Sequence, residues 1–499
     1  MREGLIIDCF AGGGGASTGI EKAFGRPVDI AINHDPEAIR MHKVNHPHTL
    51  HLTEDIFEVD LEKYVGGRHV AFMWASPDCT SHSKAKGGQP RLNGLRILPW
   101  AVYKHARAIK PDVIIMENVE EIQEWGPLDE KGYPIKDRKG EEYWKFMHSM
   151  EAIGYSWECH ELVAADYGAP TTRKRWYAVL RRDGEQIGFP AKTHSKNASI
   201  PGTEKWEECG KLFDWSDLGK SIFDRSKPLA DKTQKRIASG IMKYVVENKT
   251  PYIVDDAGAA AFLIQYHSEQ KDGGCRGQSL DEPIKTIDTS NRYGLVSAFI
   301  TKFYKTGIGS ECSEPIHTIT TSPGHFGLVS AFLTSYYGNG TEQGCTEPLR
   351  TITTKDRFGL VSAFLIKYYG GFYDGVGSEL SDPIHTIETK DRFGLVSVPI
   401  VIDGEEYVIG DIFLRMLKPE ELKRCQGFPD NYIIDHDIEG KPYPLKEQVA
   451  RIGNSVVPTM AYMLTRENVC VPNGKRHTAD EVKLFAFGNG KKKYEVRCD

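Results

Sequence analysis

The chain has 499 residues, 40% of them hydrophobic and 26% charged, with a net charge of −6. This is the composition of a globular protein with room for two or three domains, and no apolar run approaches the ~20 residues needed to span a bilayer. Ten scattered cysteines without a Cys-x-x-Cys pair exclude a metal cluster of the usual spacing and give no disulfide framework. Met1 leads almost directly into a strand, so a cytoplasmic protein without a leader is expected.

Gly4 to Phe10 reads as a buried parallel strand. It runs into the turn Ala11-Gly12-Gly13-Gly14-Gly15-Ala16-Ser17-Thr18-Gly19, with a helix expected from about Ile20. Strand, glycine turn and helix make the nucleotide-binding corner of a doubly wound sheet, and glycine lets the backbone approach a ligand closely. A tight structural turn would look the same. The next strand, Val28 to Ile32, ends at Asn33-His34-Asp35, and a third element ends at Glu54-Asp55-Ile56. Polar tips on three successive strands suit a nucleoside: Asn33 toward a ribose hydroxyl, Asp55 toward an adenine amino group. No phosphate-binding lysine follows the glycines, so S-adenosyl-L-methionine fits better than ATP.

Two further apolar strands end in reactive side chains. Val70 to Trp74 leads to Cys79, and Val113 to Met116 leads to Glu117. A thiol and a carboxylate at neighbouring strand ends can act on one small planar substrate. Trp176 to Leu180 forms another strand, directly after Thr171-Thr172-Arg173-Lys174-Arg175. The expected architecture is α/β: a doubly wound, Rossmann-like S-adenosylmethionine-dependent methyltransferase domain followed by a second, β-rich, repeat-containing domain.

Taken in order, these residues resemble the cytosine-C5 DNA methyltransferase family of bacterial and phage type. Asp8 to Gly15 looks like its cofactor turn, Pro77-Asp78-Cys79 like its nucleophile loop, and Glu117-Asn118-Val119 matches its Glu-Asn-Val motif. Gly168 to Arg175 resembles its arginine segment. Arg424 to Asp430 and Gln448 to Pro458 resemble its last two motifs. The resemblance implies that the Cys79 thiolate adds to cytosine C6, that Glu117 holds or protonates N3, and that Arg175, with Arg173, neutralises charge at O2. It implies cofactor contacts from Phe10, Gly12, Gly14, Gly15, Asn33, His34, Asp55, Ile56, Asn454 and Ser455. Thr80 and Ser83 are the positions implied to meet DNA. The implied partner is double-stranded DNA with the target base flipped out; neither membrane nor metal is expected, and a monomer is the expected state. The net negative charge counts against a nucleic-acid partner unless the field is local, and Arg173-Lys174-Arg175 with Arg181-Arg182 form one local positive run.

Four positions depart from the family pattern: Asp78, Thr80, Thr171 and Asn33. A carboxylate next to Cys79 disfavours the thiolate, and Asn33 lacks the charge of the ribose-binding glutamate it replaces. Those departures keep open a different donor, an RNA substrate or a catalytically silent DNA-binding relative.

Residues 256–400 carry an internal repeat. Four copies read Pro283 to Ile287, Pro315 to Ile319, Pro348 to Ile352 and Pro383 to Ile387, each followed by Gly-Leu-Val at 294, 327, 359 and 394. The family places its target-recognition domain here. The copies are expected to read DNA, either as separate units for separate sequences or as one reader plus scaffold. Cys312 and Cys345, at equivalent positions in two copies, suit a buried apolar site rather than a metal. The expected division is 1–195 catalytic, 196–255 connector, 256–400 repeat region, 401–469 return to the catalytic domain and 470–499 tail.

Overall fold

The computed structural model describes residues 3–78, 97–223, 225–254, 259–266, 276–302, 400–402 and 405–470, with short strands at 332–335, 343–344, 358–361, 364–367, 378–379 and 393–396. Cys79, Thr80, Ser83, the three later Pro-x-x-Thr-Ile copies and the tail lie outside the described residues. The chain divides into two compact units. One is formed by 1–213, 282–291 and 418–499, the other by 214–281 and 292–417. The first boundary falls eighteen residues beyond the expected one at 195, and residues 282–291, which include the first repeat copy, belong to the first unit.

The first unit is built on a seven-stranded sheet of order β3-β2-β1-β4-β5-β7-β6. Its strands are β1 (Leu5–Cys9), β2 (Ile30–Ile32), β3 (Leu50–Leu52), β4 (Val70–Ala75), β5 (Val113–Asn118), β6 (Ser156–Val163) and β7 (Lys174–Arg181). The five from β3 to β5 run parallel, and β7 lies antiparallel between β5 and β6. Alternate residues feed two cores. Ile7, Met73, Ile114 and Met116 pack on one face, while Ile6, Phe72, Trp74 and Ile115 pack on the other with the helix Pro458–Thr465. Burial on both faces explains why β1, β4 and β5 are continuous apolar runs rather than alternating ones. The chain order reverses at β1, whose neighbours are β2 and β4, and the crevice outside the carboxyl ends there is where such sheets bind ligands.

Helix α1 (Gly15–Phe24) starts five residues earlier than expected. The reason is tertiary: a Cβ on Gly19 would lie 2.3 Å from the Pro458 carbonyl and one on Gly15 2.1 Å from that of Val456. Small residues let the helix Pro458–Thr465 close against α1.

In the second unit, Asp231–Ile241 is helical, within the stretch expected to be a connector. Ala259–Gln265 and Tyr293–Lys302 pair antiparallel, and Glu405–Met416 extends the same sheet. The repeat is visible as register. Val296 pairs with Phe262, Val361 with Phe332 and Val396 with Phe364, and the preceding Leu295, Leu360 and Leu395 pair with Leu263, Leu333 and Leu365. Each of these three Phe-Leu strands also pairs with a two-residue strand, Gly277–Gln278, Gln343–Gly344 or Ser378–Glu379.

Candidate active site

The strand ends come together at the switch point. Phe10 leaves β1 with φ 64°, and Gly12 and Gly14 follow at 53° and 89°. Left-handed backbone is cheap for glycine and costly for phenylalanine, so Phe10 carries strain at the head of the turn. The turn closes with Ala11 N donating to the Ile32 carbonyl and Gly14 N to that of Ala11. Behind it, a Cβ on Gly13 would meet Arg451 Cβ and Ser455 Oγ at 3.3 Å. Ser455 is buried and donates from Oγ to the Arg451 carbonyl at 2.8 Å, whereas Asn454, ending the helix Leu445–Asn454, is exposed.

At the end of β2, Asn33 is half-buried and its Oδ1 accepts from Asp35 N at 2.9 Å. Asp35 caps helix α2 (Pro36–Asn45) and forms an ion pair with Arg451 at 2.6 Å. His34 and Asp55 are exposed, Asp55 Oδ1 accepts from Phe57 N at 2.7 Å, and Ile56 is buried. A glycine cradle flanked by polar strand ends fits a nucleoside, and no lysine among Ala11–Gly15 points to a phosphate.

Beneath the turn lies a polar chain that sequence reasoning missed. Asp8 is fully buried and accepts from Ser17 Oγ at 2.6 Å; His42 Nε2 lies 3.0 Å from Ser17 Oγ, and His42 Nδ1 lies 2.8 Å from His51 Nε2. With neutral rings the donors run from His51 to His42 to Ser17 to Asp8. Burial pushes the Asp8 carboxyl up to about 7, holds His42 well below the usual histidine range and lowers His51 to about 4.

The carboxylate site is built by two adjacent strands. Glu117, the last residue but one of β5, lies beside Arg175 on β7, with Arg175 Nε 3.2 Å from Glu117 Oε1. The two side chains are 10% and 14% exposed, so the pair sits largely out of water. The register sets this: Glu117 pairs with Tyr177, one turn of the pleat from Arg175. Asn118 is buried and donates through Nδ2 to the Pro77 carbonyl at 3.0 Å, tying β5 to the segment that leads to Cys79. Its place in Glu-Asn-Val was the available signal.

Arg173 goes elsewhere. It is 5% exposed and donates to the carbonyls of Gly453 at 3.0 Å and Ile287 at 3.3 Å. Thr172 N donates to the Ile284 carbonyl and Ile284 N to that of Pro170. The arginine segment therefore grips the first repeat copy, in which Ile284 and Ile287 are fully buried. The two arginines expected to act together have separate contacts. Among the described residues there is no group of three or more His, Cys, Asp or Glu placed to hold a metal, and no helix long and apolar enough to cross a membrane.

The family model described as C-5 cytosine-specific DNA methylase matches residues 5–470. The chain belongs to this family. Among curated relatives it is 27% identical over 246 residues to the type II methyltransferase M.SacI of Streptomyces achromogenes, covering 44% of this chain and 60% of that one. It is 28% identical over 206 residues to the type II methyltransferase M.AquIA of a Picosynechococcus strain, covering 38% and 77%. The matched stretch thus spans a little under two thirds of M.SacI. The Dnmt2 methyltransferase of S. pombe aligns over 93% of this chain and 98% of its own at 12% identity and a TM-score of 0.41. The assignment rests on the family match.

Proposed function

We propose that this member of the family methylates C5 of a cytosine flipped out of double-stranded DNA, using S-adenosyl-L-methionine. The Glu117–Arg175 pair carries the reading, because it sets a carboxyl group and a guanidinium side by side at the strand ends from which Asn118 ties down Pro77, two residues before Cys79. In this scheme the Cys79 thiolate forms a bond to C6 while Glu117, which takes up a proton as the base binds, gives that proton to N3, so the ring charge is neutralised as it develops. Arg175 holds Glu117 in place and faces the O2 edge. C5 becomes nucleophilic only in this adduct. Once C5 carries the methyl group, elimination passes the C5 proton to solvent, breaks the C6–S bond to restore the Cys79 thiolate and returns the N3 proton to Glu117. S-Adenosyl-L-methionine would be held by Phe10, the glycine turn, Asn33, His34, Asp55, Ile56, Asn454 and Ser455, and would supply the methyl group. Thr80 and Ser83 would contact DNA.

The second unit is proposed as the β-rich target-recognition domain, its repeated register supplying similar platforms for DNA-reading side chains. Such an enzyme works where DNA is, so a cytoplasmic protein is the accompanying reading. The test is incubation of wild-type and Cys79→Ser protein with unmethylated plasmid and S-adenosyl-L-methionine, followed by nucleoside mass spectrometry. 5-Methylcytosine from the wild type alone is expected; its absence from both overturns the proposal.

A further inference from the structure

The glycine turn is pinned by a residue far from it in sequence. Tyr432 is buried, and its hydroxyl donates to the Gly13 carbonyl at 2.5 Å. The same hydroxyl lies where a Cβ on Gly14 would be, 2.2 Å away, with His46 Nε2 at 2.8 Å from that point. His46 is fixed in turn, Nδ1 standing 2.9 Å from Glu21 Oε2. Thr18 Oγ1 donates to the Gly14 carbonyl at 2.8 Å. Two carbonyls of the turn, those of Gly13 and Gly14, are thus taken by side chains.

Tyr432 is itself held with some force. Lys423 is 2% exposed, a cost for an ammonium group unless its bonds are met. Its Nζ donates to the carbonyls of Asp430 and Tyr432, both at 2.9 Å, and pairs with Glu420 at 2.5 Å. Phe428 packs on the Tyr432 ring with centroids 4.6 Å apart. A buried cation braces a turn whose tyrosine reaches the cofactor turn.

We propose that Tyr432 is a positioning residue for the cofactor: its hydroxyl holds the Gly13 carbonyl, and so keeps the glycine turn in its binding shape before the ligand arrives. Four glycines in succession have many alternative conformations, and freezing them beforehand lowers the entropy lost on binding. The proposal rests on the reading that this turn binds S-adenosyl-L-methionine.

The test compares Tyr432→Phe with wild type and with Tyr155→Phe, which removes a buried hydroxyl bonded to the Pro111 carbonyl at 2.7 Å, away from the turn. Calorimetric titration of the full chain with S-adenosyl-L-methionine is expected to show about tenfold weaker binding for Tyr432→Phe, the size of one neutral hydrogen bond. Binding by Tyr155→Phe stays at the wild-type value. The KM for the cofactor rises in step while kcat is unchanged, and amide exchange in the peptide spanning 10–15 quickens in the ligand-free protein. Unchanged affinity in Tyr432→Phe, or an equal loss in both variants, overturns the proposal. Should Tyr432→Phe not fold, wild-type exchange decides: unprotected turn amides without ligand also overturn it. Wild-type protein that binds no cofactor defeats the functional reading instead.

Discussion

The two halves of the candidate site are held by different forces. Glu117 and Arg175 are opposite charges on adjacent strands, both nearly out of water, and each is the other's counter-ion. The glycine turn is held by neutral bonds from Tyr432, Thr18 and the Ala11 carbonyl, two of them from side chains. Removing one member of a buried charge pair strands the other, whereas removing one neutral bond loosens without stranding a charge. Chemistry should therefore fail abruptly when the first half is altered, and affinity should slip gradually when the second is.

The sharpest way to break that contrast is Glu117→Gln. The amide keeps the shape but cannot pass a proton, and kcat is expected to fall roughly a thousandfold. The cofactor-induced rise in Tm should persist. A drop of less than tenfold would show that the pair is architectural. Arg173→Ala comes next. It leaves the Gly453 and Ile287 carbonyls without that donor, and urea unfolding of the full chain should show a loss of about 2–4 kcal/mol, with methylation per folded molecule retained. Collapse of activity at unchanged stability would put Arg173 on the substrate.

The smallest effect is a pH dependence beneath the turn. Asp8 has its carboxyl pushed from 3.8 to about 7 by burial, so the fold binds a proton that the unfolded chain has already released. Its contribution to stability is full at acid pH and is lost as pH rises from 3.8 through 7. Asp8→Asn has no such titration. The stability of the variant relative to wild type should climb between pH 5 and 8 and level off above, by on the order of 2–3 kcal/mol, read as a rising difference in Tm. Ser17, Glu21, Cys9 and Tyr432 face the group, and His42 reaches it through Ser17, in both proteins, so the difference isolates Asp8. A flat difference would mean that Asp8 is ionised throughout.

What the sequence made legible was local. β1, β4 and β5 are apolar runs ending in Asp8-Cys9, Ala75 and Glu117-Asn118, and their burial on both faces makes the pattern strong. β6 escaped notice because it is an edge strand with several exposed residues, so no apolar run marks it. The Glu117–Arg175 pairing follows from β5 lying against β7, which spacing alone does not reveal. The fate of Arg173 was further out of reach, since its partner Gly453 is 280 residues away and Ile287 sits in a copy that looks like three others. Similarity among repeats says nothing of which copy is gripped.

The interleaving of the two units bears on the order of events during synthesis. The chain enters the second unit at 214, returns for 282–291, departs again and comes back at 418. The glycine turn, among the first residues made, waits for Tyr432 and for the helix Pro458–Thr465 that packs on α1. A nascent chain therefore carries the glycine turn without these two partners until the residues through Thr465 have been made.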